Sequence, residues 1–390
     1  MPSKQRSIKR TAVIAVAVFA LGIPAVPAVA GAPDAPDAPD LNAMSDTAKA
    51  FLAERTYALL DASTPASGRG PTRSIAATSS LAKTHELTLA AITERKNKLK
   101  SAGESYSAAD IQITIDKVDR TSDAVLLHVT ELTALTYAHM DTKGSPQTKF
   151  RSHHRVEFSR GSGNHWEMTK QYRIDEGGPA PINDVRDLAQ QPKPRQSGGV
   201  GPVSSTSTAS TTKPAVLTHH QKPAKLSGGY DYWAMTDYAQ TYAIDRNSWY
   251  RDFGNNDCTN FISQALRAGG WSDEANGPYP SNDQDSWWYN PWDIHNQTLT
   301  WINAEWFYFY ASRWSQRTQL LDNVWYMGYG DVLQADWDGN GQEIDHTMMM
   351  TWYYDGIGPA LSYHSNDTIN RSLQSLLIDN PNAWWWLHRT

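Results

Sequence analysis

The chain is nearly without cysteine: its 390 residues contain one, Cys258. A single thiol excludes an intramolecular disulfide and every CxxC-type metal or redox motif, so stability has to come from burial. Neither a P-loop nor a dinucleotide fingerprint occurs. Beyond the N-terminus no apolar run is long enough to span a bilayer. Positive charge is also scarce, with 35 Lys and Arg against 41 Asp and Glu and a net charge of −6. That balance offers no footprint for nucleic acid or for an anionic membrane surface.

What is present begins with an export signal. Lys4, Arg6, Lys9 and Arg10 precede the apolar residues 11–21, and Ala28-Val29-Ala30 supplies a small-x-small cleavage site. Residues 1–30 therefore read as a signal peptide, and the mature chain is expected to be secreted, soluble and without a membrane span. An uncleaved anchor is the alternative. Removing those residues takes away four positive charges and no negative ones, moving the net charge from −6 to −10. Oxidising compartments favour paired cysteines, so a solitary thiol there calls for a functional reason.

Composition divides the rest. Residues 186–226 are rich in Pro, Ser, Thr, Gly and Lys and read as a flexible linker. They separate an N-terminal domain of residues 41–185 from a C-terminal domain of residues 227–390, each expected to have its own core. In the first, residues 42–62 and 80–100 have helical composition, followed by alternating stretches around Ile111, Val125, Val156 and Trp166. The expectation is an α+β domain with an antiparallel sheet. That order resembles the NTF2-like or cystatin-like accessory domains of secreted bacterial proteins. His153-His154 could ligate a metal, but neighbours on a strand point to opposite faces.

The second half holds all of the 16 tryptophans except Trp166. Core packing is the expected fate of most, although Trp287-Trp288 could line a cleft for sugars or peptides. Asp257 is placed to cap a helix running from Cys258 to Arg267 and ending at Gly269-Gly270. A helix N-terminus favours the thiolate, so Cys258 is a candidate nucleophile; an ordinary buried cysteine is the competing reading. Further on, His346 opens an apolar strand after Gly330-Asp331-Val332-Leu333, and Tyr363-His364-Ser365-Asn366 follows on the next. A helix-borne Cys, a strand-borne His and a polar third residue are what cysteine catalysis needs.

Asp257-Cys258-Thr259-Asn260-Phe261-Ile262-Ser263-Gln264, Gly330-Asp331-Val332, Asp345-His346-Thr347 and Tyr363-His364-Ser365-Asn366-Asp367 together resemble the putative amidase domain family of secreted bacterial proteins, over residues 228–390. The family looks like a relative of the papain-like NlpC/P60 and CHAP hydrolases. The resemblance implies a papain-like α+β fold, Cys258 as nucleophile, His346 as general base and His364 as third member, with Asn366 or Asp367 as alternatives for that place. Asn256 and Gln264 are candidates for oxyanion support. It implies a secreted amidase acting through a thioester on cell-wall peptide. A catalytically inactive tryptophan-rich module that binds glycan or peptide, or an acyltransferase using the same thioester, are the rival readings. No cofactor is required. Asp336, Asp338 and Asn340 resemble the start of a calcium loop, with Asp345 a closing ligand, although Thr347 stands where that pattern ends in Glu; a tight hairpin turn accounts for the same residues.

Overall fold

Helix-forming residues punctuated by caps build the first elements. Helix α1 (Leu41–Tyr57) starts where the Asp40 carboxylate accepts the N–H groups of Asn42 and Ala43 at 3.1 Å each. Helix α2 (Ser79–Ser101) starts behind Thr78. Four antiparallel strands follow, β1 (Tyr106–Arg120), β2 (Ala124–Tyr137), β3 (Gln147–Arg160) and β4 (Trp166–Arg173). The computed structural model describes residues 39–61, 76–138, 146–161, 165–175, 177–185, 208–217, 229–275, 284–290, 292–293 and 296–390. Residues 1–30, read above as a signal peptide, and most of those read as a linker lie outside them. No described helix is long and apolar enough to cross a membrane.

The C-terminal half adds helices α3 (Tyr232–Tyr242), α4 (Cys258–Ala268), α5 (Leu299–Ile302) and α6 (Ala304–Phe309). Strands β5 (Gln319–Leu321), β6 (Val332–Asp336), β7 (His346–Tyr354), β8 (Gly358–Tyr363) and β9 (Thr368–Ser372) follow, then α7 (Leu373–Asp379) and β10 (Trp384–Arg389). The fold is α+β with antiparallel pairing, as the sequence predicts. The expected separation of the halves is not what is found. Strand β3 pairs with β9 through Lys149–Ile369 and Phe150–Thr368, so ten strands make one sheet in the order β1-β2-β3-β9-β8-β7-β6-β10-β5, with β4 on β3. Tyr106, Tyr137 and Phe150 share a core cluster with Tyr354, Ile357 and Ala360, and residues 39–390 form one unit. The described part of the linker is docked as well. Ala209 N–H bonds Trp385 O at 2.7 Å, and the Lys213 ammonium sits over the Trp325 ring.

Strand alternation on β2 sends Val125, Leu127 and Val129 inward, and with them Glu131. A buried carboxylate is costly unless paired. Here Arg55 lies 3.6 Å away, His154 3.1 Å, and Asn183 donates at 2.7 Å. Burial alone would raise the Glu131 pKa; His154 and Arg55 overcome it and bring it down to about 2. A depressed carboxylate stabilises the fold above its unfolded value of 4.5, and that contribution is lost as pH falls toward 2. Glu131→Gln should therefore narrow the stability gap between pH 6 and about pH 2.5 by about 3 kcal/mol, read from urea unfolding at both pH values. His153, on the opposite face of β3, pairs instead with Asp175 at 2.8 Å.

The central strands are covered on both sides. Phe261, Ile262, Ala265 and Leu266 of α4 pack with Val332 and Met349 on one face. Leu333, Ala335, Met348, Met350, Leu361 and Tyr363 share the other with Trp385. Trp271, Trp287 and Trp301 are core residues, and Trp288 is buried too, so the Trp287-Trp288 pair does not line a surface cleft.

Candidate active site

Cys258 opens α4, one turn ahead of the stripe that docks on the sheet. The helix ends as predicted, with Gly269 at its cap and Trp271 N–H returning to Leu266 O at 3.1 Å. Cys258 is 8 % exposed. The Thr259 hydroxyl is the hydrogen-bond partner of the sulfur, with Oγ1 3.7 Å away, and the backbones of Thr259 and Thr347 act with it to favour the thiolate. Burial pushes the thiol pKa above its ordinary value, these groups pull it back, and neighbouring Asp257 adds to the rise. The geometry to stabilise a thiolate is thus built, while desolvation keeps the resting sulfur protonated.

The Thr347 amide immediately follows His346, so the start of α4 is seated against the peptide leaving that histidine. The side chains diverge. Thr347 points to α4, its Oγ1 2.9 Å from Thr259 Oγ1. Alternation along β7 sends the His346 ring to the opposite face, where it packs 5.5 Å from Trp337 and 5.4 Å from Tyr363, ring centre to ring centre. The structure brings Cys258 to the backbone of His346 and places the imidazole beyond it.

His364 lies on the α4 side, stacked on Phe261 at 3.9 Å. Its Nδ1 is 2.5 Å from Asp257 Oδ2 and its Nε2 2.9 Å from Tyr242 O. A carboxylate and a carbonyl only accept, so both ring nitrogens of His364 face acceptors. Asp257 therefore does not cap α4 with its side chain, contrary to expectation. Its Oδ1 accepts Phe253 N–H at 3.0 Å and Asn260 Nδ2 at 2.8 Å, and Arg246 stands 3.8 Å from Oδ2. The pair locks the loop entering α4 to the end of β8. Both nitrogens of His364 are engaged there and neither is turned to His346.

The remaining candidates sit apart from the sulfur. Asn256 is exposed in a short 3-10 turn (Gly254–Asn256). Gln264 accepts the Tyr238 hydroxyl at 2.7 Å, nearly two turns along α4. Asp367 pairs with Arg246 at 2.9 Å. Asn366 accepts Arg173 Nη1 at 2.6 Å and donates to Pro179 O at 2.5 Å. Arg173 ends β4, and Pro179 belongs to the segment after it, which crosses the loops bordering Cys258. Gly177, with φ 85°, allows it: a Cβ there would lie 2.6 Å from Asn255 O. Thr259, Thr347 and this crossing segment carried no signal readable in one sequence.

In the loop between β6 and β7, Asp336 accepts Gly339 N–H at 3.0 Å and Gly341 N–H at 2.7 Å, while Asp338 accepts the Asn340 side-chain amide at 2.7 Å. Asp345 accepts Trp337 N–H at 2.7 Å. These bonds are those of a tight turn. Among the described residues no group of three or more His, Cys, Asp or Glu is placed to hold a metal ion. Burial, with Asp338 and Asp345 nearby, raises Asp336 to about 6.

The fold and this site meet a known family. Residues 229–388 match the family model described as "Putative amidase domain". The region is similar to the uncharacterized protein YjcM of Bacillus subtilis (strain 168), with 29 % identity over 150 residues, 36 % of this chain and 32 % of that protein. It is also similar to the uncharacterized protein YhbB of the same organism, with 28 % identity over 142 residues, 36 % of this chain and 42 % of that protein. The chain thus spans 32 % and 42 % of the length of these relatives. Among solved structures, the intermembrane space region of chloroplast protein ARC6 aligns with 33 % of this chain and 95 % of its own at 12 % identity, with a TM-score of 0.20, too low to assign a fold.

Proposed function

We propose that the C-terminal region is an amide hydrolase of papain-like type in which Cys258 is the nucleophile and His346 the base. The observation that carries this reading is the sulfur itself, at a helix N-terminus, hydrogen-bonded to Thr259, whose hydroxyl meets that of Thr347 next to His346, within a region matching an amidase family. The thiol proton passes to the imidazole and the sulfur attacks the carbonyl carbon. The amine then leaves with that proton, and water cleaves the thioester. For this, the backbone at the start of β7 has to turn over as substrate enters, because the His346 ring now lies on the face of the sheet opposite the sulfur. The substrate is a peptide or peptidoglycan-type amide met outside the cell, and the chemistry requires no cofactor.

Turnover of peptidoglycan fragments by the mature chain, followed by mass spectrometry, tests this. Cys258→Ser is expected to lower turnover by about a thousandfold or more, and His346→Ala by a similar factor. An acyl-enzyme mass on Cys258 should accumulate with an activated ester. Undiminished turnover in Cys258→Ser refutes the reading. Added amine appearing in product assigns acyl transfer instead, and ligand binding without any turnover assigns the binding module.

A further inference from the structure

The sulfur is the end of a longer hydrogen-bond chain. It begins at His388 on β10, fully buried between Thr318 and Gln334. Burial lowers the His388 pKa to about 3, so the ring is neutral, with one nitrogen donating and one accepting. Thr318 Oγ1 lies 2.9 Å from Nδ1, and Nε2 lies 3.0 Å from Gln334 Oε1. Gln334 Oε1 only accepts, so the ring donates from Nε2 and takes the Thr318 proton at Nδ1. The same bond fixes the Gln334 side chain, whose Nε2 donates to Ala304 O at 2.8 Å and to Thr347 Oγ1 at 3.0 Å. Thr347 accepts from Gln334 and can pass its own proton to Thr259 Oγ1 at 2.9 Å, and once the sulfur is a thiolate, which only accepts, Thr259 donates to it across 3.7 Å.

We infer that Thr347 and Gln334 are positioning residues for Cys258: acting through Thr259, they aim a hydroxyl proton at the sulfur and hold it there for the thiolate. Chains of this kind polarise in one direction, and the donor nearest the developing charge gains most. The inference rests on Cys258 as nucleophile. It explains why two threonine hydroxyls are buried face to face between α4 and β7, where apolar side chains would pack as well. The titratable groups around the sulfur stay in place when Thr347 changes. They are Asp257 beside it, His364 and Arg246 paired with Asp257, and His346 ahead of Thr347.

The test is the rate of iodoacetamide labelling of Cys258 by intact mass, over about pH 6 to 10, in the full mature chain. Thr347→Val keeps the shape and removes the hydroxyl. It is expected to label about tenfold more slowly near pH 8, with the whole profile displaced to higher pH. Thr347→Ser should restore the wild-type profile, which a merely structural role would not require. A Thr347→Val profile that superimposes on wild type, in a protein that melts normally, overturns the inference. If that variant does not fold, Gln334→Leu carries the test, expected to slow labelling about threefold and overturning the inference if it does not. Labelling needs no turnover, so the two readings fail separately. A displaced profile in a chain without amide turnover leaves the hydrogen-bond chain standing and removes the hydrolase. An unchanged profile, with turnover lost in Cys258→Ser, does the reverse.

Discussion

A chain cut to residues 208–390 is expected not to fold cooperatively. The cut removes β3 from the edge of β9 and strips one side of the cluster holding Tyr354 and Ile357, both nearly inaccessible in the whole chain. Exposing two such side chains forfeits about 3–6 kcal/mol. Polar losses add to this. Asn366 loses Arg173 and Pro179 O, Arg371 loses Ala180 O at 2.6 Å, and Ser372 loses Glu104 at 2.7 Å. Each buried group left unsatisfied costs about 1–3 kcal/mol. The sum reaches the whole stability of an ordinary domain, about 5–15 kcal/mol. Near-UV circular dichroism with thermal melting is the check: weak near-UV signal and no sharp transition are expected. A sharp melt within about 5 °C of the full chain would show that the halves fold independently. The expected outcome is that the family match at residues 229–388 covers less than the unit that folds in this chain.

How far the sequence reaches depends on what each residue depends on. Local chemistry was legible. The ends of α4, the starts of β6 and β7, and the inward alternation of β2 follow from caps, glycines and period-two patterning, and they appear where expected. The β3–β9 pairing was not, because two strands more than 200 residues apart bear no mark of each other. Linker composition misled for the same reason: residues 208–217 look unstructured alone and gain order only against β10 and Trp325. The face of His346 was hidden by burial. Residues 346–350 are apolar or enclosed throughout, and a strand covered on both sides loses the alternation that would say which way each side chain points. Asp257 illustrates a different limit. Its place before a helix suggests a cap, yet a histidine 107 residues later claims the carboxylate.

That claim carries the second large effect: His364→Ala is expected to destabilise the protein by about 3–5 kcal/mol, the usual result of removing one member of a buried ion pair. Asp257 would remain 2 % exposed with Phe253 N–H, Asn260 and a more distant Arg246, and Tyr242 O would lose its donor. Asp257→Asn should be milder, because its amide can donate to a neutral His364 that still donates to Tyr242 O. The melting temperature of His364→Ala should fall by on the order of 5–10 °C. Asp257→Leu combined with His364→Leu should lose far less than the sum of the single changes, a coupling above about 2 kcal/mol in a double-mutant cycle. A third catalytic member behaves otherwise. If His364 oriented the base, His364→Ala would leave melting unchanged and lower the rate alone, and the cycle would show no coupling in stability. Melting curves for the four proteins separate the two roles before any substrate is known. The geometry places His364 with Asp257, as the bolt that fixes the loop from which Cys258 is presented.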